Sequence, residues 1–259
     1  MKILTLGDKA QIAAYLRRFP EQTIYQLGDL DPFFWDATRW FAAIEHDSIQ
    51  ALALLYNAPD LPVLLAMTVE HDVMPTLITA IQHELPNRLY AHLSDDVAQI
   101  LAQSWRMIDH GKHDKMVLRD HTKLPDGALL SDVMPLHMAD LAAIERLYQH
   151  YKGNWFDSRM LETGCYCGVW HKHELISIAG VHVYSPEYGV AALGNITTHP
   201  AWRGRGLAQR TTAKLCQHLL ETVTTVGLNV KSDNHAAIAC YRALGFERVT
   251  SYSEWMIAR

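Results

Sequence analysis

The 259-residue sequence predicts an α/β (α+β) fold in which helices flank a mixed, mainly antiparallel sheet. Both halves of the chain show strand patterns in a meander, followed by alternating helix and strand patterns. A glycine-punctuated turn at residues 199–210 joins a strand pattern to a helix pattern. Hydrophobic residues make up 49% and charged residues 20%, which is typical of globular proteins and excludes a disordered chain.

The chain divides into two predicted domains, residues 1–125 and 129–259, because residues 120–127 (Asp-His-Thr-Lys-Leu-Pro-Asp-Gly) have the composition of a linker. The elements predicted for the first half are helix 8–19, strands 40–45, 49–56 and 61–66, helix 74–82, strand 88–93, helix 95–103 and strand 115–119. Those predicted for the second half are strand 130–136, helices 139–150 and 158–162, strands 165–170, 175–184 and 190–198, helix 207–220, strand 226–230, helix 234–244 and strand pieces across 246–257.

The turn at residues 199–210 has the features of a phosphate-binding loop. Gly204 and Gly206 stand where a helix begins, and glycine lets the backbone adopt unusual dihedral angles there. The N–H groups of a first helical turn have no intrahelical partner, so they can bind an anion. Arg203 and Arg205 add two positive charges to the favourable end of the helix dipole. The sequence therefore predicts an anion site in this loop.

A second pattern follows about 28 residues after Gly206 and places a tyrosine on a short helix. Ala237 and Tyr241 are four residues apart, so they share one helix face with Asn234 one turn earlier. Gly245 is placed to end this helix and Phe246 to begin a strand. Taken alone, Asn234 could serve only as a helix cap, and Tyr241 could be an ordinary core residue.

The two patterns together resemble the signatures of the GNAT superfamily of N-acetyltransferases. The coenzyme A loop of that family reads Gln/Arg-x-x-Gly-x-Gly/Ala, as residues 203–208 do here. Its second signature reads Asn-x-x-Ala-x-x-x-Tyr-x-x-x-Gly-Phe and is complete at residues 234–246. The resemblance covers residues 130–259. It implies a mainly antiparallel GNAT sheet flanked by helices.

The first half resembles the same family only in the order of its elements. It has no glycine-arginine turn, and the corresponding segment, residues 66–75, is acidic where a phosphate site needs basic residues. We therefore expect a degenerate GNAT-like N-terminal domain. The layout is similar to that of the glycine N-acyltransferase type, in which a GNAT domain follows a degenerate one.

The resemblance implies an N-acetyltransferase that moves an acetyl or short acyl group from acetyl-CoA, its cosubstrate, to a primary amine of a small-molecule acceptor. The amine would attack the thioester directly, and Tyr241 would act as general acid. The thioester would lie between the parallel strands 191–198 and 226–230, with the backbone of the first strand pairing with the pantetheine arm. The cofactor-binding residues implied are Ile196, Thr198, Arg203, Gly204, Arg205, Gly206, Leu207, Ala208, Asn234 and Tyr241.

The general base is left open. Many GNAT enzymes carry a glutamate on the fourth strand, whereas residues 190–194 contain no carboxylate. The candidates are His182, Glu187, Asp157 and Glu162, or a chain of water molecules. If no base is present, the chain could instead be a non-catalytic acyl-CoA binding or sensing protein that uses its N-terminal half as an interaction surface.

Composition excludes several other classes. A net charge of −5 without a lysine run argues against nucleic acid as a partner. No run of 18 apolar residues and no signal peptide is present, so we expect a cytoplasmic protein with no membrane partner. The four cysteines are too few for a disulfide framework, and the spacing of His171, His173, Cys165 and Cys167 matches no zinc site, so no metal is expected. Oligomeric state and acyl chain length stay open.

Overall fold

A computed structural model describes residues 1–57, 60–70, 72–151 and 156–259 of the chain. Its strands are β1 (Lys2–Leu6), β2 (Thr38–Glu45), β3 (Ser48–Tyr56), β4 (Val63–Ala66), β5 (Arg88–Leu93), β6 (Arg106–Leu118), β7 (Val133–Pro135), β8 (Cys167–His171), β9 (Glu174–Ser185), β10 (Val190–Thr198), β11 (Thr225–Lys231) and β12 (Phe246–Ala258). Its α-helices are α1 (Lys9–Leu16), α2 (Ile24–Gly28), α3 (Pro32–Trp35), α4 (Met74–Ile81), α5 (Asp95–Leu101), α6 (Leu141–Tyr148), α7 (Leu207–Leu219) and α8 (His235–Ala243).

The chain forms two compact units, each with its own hydrophobic core. The N-terminal unit contains residues 1–115, 231–233 and 249–259, and the C-terminal unit contains the remaining residues, 116–230 and 234–248. The domain limits given above remain a prediction. The units divide the chain before the linker-like segment, and they assign the last strand residues to the N-terminal unit.

The N-terminal unit contains strands in the order β1-β2-β3-β4-β5, followed by the last part of β12. β4 and β5 pair in parallel, whereas the neighbouring pairs in this series are antiparallel. Helix α4 lies on the chain between β4 and β5 and buries a face of four apolar residues at helical spacing, Met74, Leu77, Ile78 and Ile81. A parallel pair needs such a crossover, which is why a helix interrupts the meander here.

The C-terminal unit contains strands in the order β11-β10-β9-β8-β7. β10 and β11 are parallel and the others antiparallel, so the sheet is mixed and mainly antiparallel, as the sequence predicts. Helix α7 supplies the crossover from β10 to β11. Its buried face, which includes Leu207, Thr211, Leu215 and Leu219, recurs every four residues and packs into the core of this unit.

Most predicted elements are confirmed, and the differences are confined to a few segments. β1, α2 and α3 were not predicted, and β6 begins at Arg106, well before the expected start at residue 115. Residues 127–130 form a 3₁₀ turn, so strand β7 spans only Val133–Pro135 within the predicted strand 130–136. The closing strand pieces are one continuous strand, β12. β1, β6 and β12 become strands because they pair with distant partners, which local pattern does not encode. α2 and α3 are only five and four residues long, too short for a periodic pattern to show.

Gly245 connects α8 to β12 and has two reasons to be glycine. Its φ is +96°, and a Cβ atom there would lie 2.1 Å from the carbonyl oxygen of Asp120. We predict that Gly245→Ala lowers the free energy of unfolding by at least about 2 kcal/mol, because it adds a backbone clash to left-handed strain. Urea denaturation measures this. Gly7→Ala is the control, since a Cβ at Gly7 meets nothing within 4 Å; equal effects of the two changes would contradict the prediction.

Candidate functional site

The parallel strands β10 and β11 stop pairing partway along their length. Their register runs from Val190 opposite Thr225 to Leu193 opposite Leu228. β10 nevertheless continues to Thr198 and β11 to Lys231. The pairing of β10 with β9, by contrast, resumes at Thr197 and Thr198. The edge of β10 that faces β11 is therefore open over its last residues.

A bulge at Asn195 lies where the two strands separate. The register with β9 shifts between Gly194 and Thr197, and Asn195 adopts a left-handed backbone with φ of +56°. Its carbonyl oxygen accepts a hydrogen bond of 2.9 Å from the Tyr148 hydroxyl, and its Nδ2 donates one of 2.9 Å to the Tyr166 hydroxyl. These contacts hold the bulge in place from α6 and from the start of the β8 segment.

The peptide groups of Ile196 and Thr198 face the open edge of β10. The N–H of His199 donates a hydrogen bond of 2.9 Å to the Ile176 carbonyl on β9. Successive peptide groups of a strand point to opposite sides, so those of Ile196 and Thr198 point away from β9. Both residues are half-buried. The Thr198 carbonyl oxygen accepts a hydrogen bond from Arg203 Nε, and the other peptide groups of the two residues point toward the β11 side. Their pairing with an added extended chain stays a prediction.

The predicted anion loop follows β10 and leads into α7. Gly204 and Gly206 have φ of +75° and +73°, and a Cβ atom at either position would project into open space. Gly206 is the N-cap residue of α7, and its carbonyl oxygen accepts the first helical hydrogen bond, from the N–H of Arg210. The N–H groups of Leu207, Ala208 and the next residue therefore belong to the first turn and have no acceptor within the helix. The loop has the exposed backbone that phosphate binding requires.

The two arginines of the loop are both exposed but have different neighbours. Arg203 Nε donates a hydrogen bond of 3.2 Å to the carbonyl oxygen of Thr198, which ties the loop back to the open edge of β10. The guanidinium carbon of Arg205 lies 4.7 Å from the centre of the Trp202 ring. Arg210, one turn into α7, pairs with Asp132. Positive charge is thus concentrated at the start of α7, where the helix dipole also attracts an anion.

Helix α8 begins at the second sequence pattern. The Asn234 side chain caps this helix by accepting a hydrogen bond of 3.2 Å from the N–H of Ala237. Tyr241 is buried with 9% of its surface exposed, and its ring lies 5.9 Å from that of Phe246. Burial is the main cause that raises the pKa of the Tyr241 phenol above its ordinary value of 10.0, so the hydroxyl carries its proton at neutral pH.

The four candidate bases have different surroundings. The His182 ring packs against Gly194, where a Cβ atom would lie 1.3 Å from the ring. Asp157 binds Arg159 at 2.6 Å, and this hydrogen bond is the leading cause that lowers the pKa of its carboxyl group. Glu162 and Glu187 are exposed. Of the four, His182 is packed against the strand that separates from β11, immediately before the bulge.

Tyr148, Tyr166 and the bulge itself are the features of this site that sequence reasoning missed. A single asparagine inside the apolar strand 190–198 was the available signal, because a buried amide needs partners. Tyr166 also donates a hydrogen bond of 2.9 Å to the carbonyl oxygen of Val181, and the Cβ of an alanine at Gly180 would lie 2.0 Å from its ring. Gly180 and Gly194, which are opposite each other in β9 and β10, therefore make room for the rings of Tyr166 and His182.

Three further properties concern the described residues. All four cysteines are free thiols, three of them buried, and burial raises the pKa of Cys165 to about 11 and that of Cys167 to about 12. Within residues 1–57, 60–70, 72–151 and 156–259, no group of three or more His, Cys, Asp or Glu side chains could hold a metal ion. No helix in this part of the chain is long and apolar enough to span a membrane.

The site thus combines two parallel strands that stop pairing partway with a glycine loop at the start of α7. Residues 130–246 match the model of the acetyltransferase (GNAT) family. This part of the chain is therefore a GNAT acetyltransferase domain, and members of this family use acetyl-CoA. The finding confirms the resemblance given above, whereas the degenerate GNAT-like nature of the first half remains a prediction.

Two curated relatives match shorter segments. An uncharacterized protein of Mycobacterium leprae is 36% identical over 101 residues, which is 36% of this chain and 26% of the relative. The N-alpha-acetyltransferase RimI of Mycobacterium tuberculosis is 42% identical over 65 residues, 24% of this chain and 37% of the relative. The chain thus spans well under half the length of either relative.

Solved structures share the fold over nearly the whole chain. A Drosophila protein has a TM-score of 0.71 at 12% identity, covering 99% of this chain and 98% of its own. A tandem GNAT protein from the clavulanic acid biosynthesis pathway has a TM-score of 0.58 at 15% identity, covering 98% and 97%. A GNAT-family acetyltransferase from Colwellia psychrerythraea covers 100% of both chains with a TM-score of 0.57 at 15% identity. At these identities the likeness concerns the fold alone.

Proposed function

We propose that this chain transfers an acetyl or short acyl group from acetyl-CoA to a primary amine of a small-molecule acceptor. The observation that carries the proposal is the combination of the open edge of β10 with the glycine loop at Gly204 and Gly206. The loop offers unpaired N–H groups for the pyrophosphate, and the peptide groups of Ile196 and Thr198 offer hydrogen bonds to an extended amide chain. Acetyl-CoA, when bound, supplies the acyl group as an activated thioester.

Tyr241 is the proposed general acid. Its hydroxyl would donate a proton to the departing sulfur as the new C–N bond forms and the C–S bond breaks. The raised pKa of this phenol supports the role, because the group must be protonated before the reaction begins. The hydroxyl then regains a proton from solvent.

His182 is the proposed general base. The amine arrives as an ammonium ion and must lose a proton before its nitrogen can attack, so a neutral imidazole near the open edge of β10 would accept that proton. The packing of His182 against Gly194 supports this choice over Asp157, which is held by Arg159, and over the exposed Glu162 and Glu187. A water chain remains the alternative.

The rate of acyl transfer in His182→Gln tests this assignment. The rate at neutral pH is expected to fall about 10²-fold, the lower end of the range for a lost proton-transfer group. His173→Gln, on the exposed turn between β8 and β9, is the control. An unchanged rate in His182→Gln would leave the water chain as the base.

Thiol release from acetyl-CoA across a panel of small amines tests the proposed reaction itself. The panel includes a short peptide with a free α-amino group, since the Mycobacterium tuberculosis relative is named an N-alpha-acetyltransferase. Amine-dependent thiol release supports the enzyme. Tight binding of acetyl-CoA without any such release across the panel supports the second candidate, an acyl-CoA binding or sensing protein, which the absence of a carboxylate in residues 190–194 favours.

A further inference from the structure

The peptide group between Asn195 and Ile196 lies where β10 and β11 separate. In the register of the described strands, pairing with β9 is interrupted between Gly194 and Thr197, so neither residue of this peptide is opposite a residue of β9. The Asn195 carbonyl oxygen accepts its hydrogen bond of 2.9 Å from the Tyr148 hydroxyl instead. A trans peptide directs its carbonyl oxygen and its N–H group to opposite sides. The Tyr148 contact therefore fixes the direction of the Ile196 N–H group, which points away from that hydroxyl.

Tyr148 is the last residue of α6, and other contacts hold its ring in place. Ile144 and Leu147 of the same helix are 0% and 2% exposed in the core of the C-terminal unit. The centre of the Tyr148 ring lies 5.1 Å from that of the Phe156 ring. The helix and the ring are thus anchored by apolar packing, so removal of the hydroxyl alone leaves the ring packed.

Asn195 is held a second time, through its side chain. Its Nδ2 donates to the Tyr166 hydroxyl, which donates in turn to the carbonyl oxygen of Val181 on β9. Asn195 is 4% exposed and Tyr166 1% exposed, so this second contact is part of the core. The side-chain contact keeps the bulge in place, whereas the Tyr148 contact acts on the plane of a single peptide. Loss of the Tyr148 hydroxyl is therefore expected to loosen that peptide without removing the bulge.

The Ile196 N–H group faces the open edge of β10, where pairing with β11 has stopped. A hydrogen bond accepted by the carbonyl oxygen of a peptide polarises that peptide and strengthens its N–H group as a donor. A donor whose direction is already fixed also loses less conformational freedom when a ligand binds. The Tyr148 contact thus prepares one donor at this edge.

We propose that Tyr148 is a positioning residue for coenzyme A. Through the Asn195 carbonyl oxygen, its hydroxyl holds the Ile196 N–H group in the direction in which an amide oxygen of the pantetheine arm can accept from it. The inference rests on the proposed acyl transfer, and it adds a residue of α6 that acts through the backbone of β10.

Calorimetric titration of Tyr148→Phe tests this role. We expect the variant to bind coenzyme A about fivefold more weakly than the unchanged chain, the value of one ordinary hydrogen bond. ADP, which has a pyrophosphate group but no pantetheine arm, is expected to bind both proteins equally. Tyr184→Phe is the matched control, because the Tyr184 hydroxyl bonds Thr222 at the surface. Its affinity for coenzyme A is expected to equal that of the unchanged chain.

Steady-state kinetics of Tyr148→Phe provide a second measurement. A contact to the pantetheine arm is the same in the ground state and the transition state, so KM for acetyl-CoA is expected to rise about fivefold while kcat stays within about twofold. The melting temperature is expected to fall by about 4 °C or less, the shift for one lost hydrogen bond. A lower kcat at an unchanged KM would overturn the inference, because Tyr148 would then act on the reacting atoms.

The titrations distinguish failure of this inference from failure of the proposed function. Unchanged coenzyme A affinity in Tyr148→Phe would overturn the role of Tyr148 and leave the proposed acyl transfer intact. An equal loss of affinity for coenzyme A and ADP would also overturn it, because the change would then have disturbed the whole site. No binding of coenzyme A to the unchanged chain would contradict the proposed function, and the role of Tyr148 with it.

Discussion

Gly206→Val is expected to abolish coenzyme A binding. The residue is the N-cap of α7, and a side chain there would project into open space at the start of the helix. The first-turn N–H groups are the proposed pyrophosphate site, so the added isopropyl group is expected to block the approach of phosphate oxygens. A loss of at least about 100-fold in affinity follows if one charge-assisted contact and its neighbours are removed. Calorimetric titration with coenzyme A measures it.

The experiment must distinguish backbone strain at residue 206 from steric blocking of the proposed phosphate site. Gly206 has a φ of +73°, a conformation that a β-branched residue rarely adopts, so valine also costs stability, about 1–2 kcal/mol. Gly206→Ala adds a smaller group at less strain. Gly164→Ala is the matched control, because Gly164 has a φ of +69°, lies outside the loop and also has open space around its Cβ position. Coenzyme A affinity that is unchanged in Gly206→Val, or equally reduced in Gly164→Ala, would remove the basis for the loop assignment.

Tyr241→Phe is expected to lower the rate of acyl transfer by about 10²- to 10⁴-fold, the usual value of a general acid. Only the hydroxyl is lost, and the ring keeps its contact with Phe246, so the fold is expected to stay unchanged and the affinity for coenzyme A to fall far less than the rate. Thiol release under saturating acetyl-CoA measures the rate, and calorimetry measures the affinity.

Tyr184→Phe is the control for the loss of a tyrosine hydroxyl. The Tyr184 hydroxyl forms a surface hydrogen bond of 2.9 Å with Thr222 and is not part of the proposed chemistry. Equal activity of Tyr241→Phe and Tyr184→Phe in an otherwise active enzyme would show that the sulfur takes its proton from elsewhere.

The sequence predicts the loop and α8 well because their signals are local. Gly204 and Gly206 adopt positive φ in a turn of only a few residues, where glycine is the favoured residue. Asn234 caps the helix that immediately follows it. Helices with regular apolar spacing, such as α4, were also predicted with nearly correct limits. In each case the residues that decide the conformation are neighbours in the chain.

The bulge at Asn195 and the burial of Lys115 could not be predicted in this way. Asn195 is held by Tyr148 and Tyr166, which are 47 and 29 residues away along the chain. Lys115 meets the carbonyl oxygen of Gln22 across 93 residues. Such contacts exist only after the sheet has formed, so no spacing rule on one segment reveals them.

The assignment of residues 249–259 to the N-terminal unit has a consequence for biosynthesis. The end of β12 pairs with β5, from Ser253 opposite Leu93 to Ala258 opposite Arg88. Residues 1–115 are translated before residues 249–259 and lack this strand until those residues have been made. All segments of the C-terminal unit, in contrast, end at Arg248. Of the two units, the one whose translation begins first is therefore completed last, and a gene fragment that stops at residue 125 encodes an unfinished sheet with an exposed edge at β5.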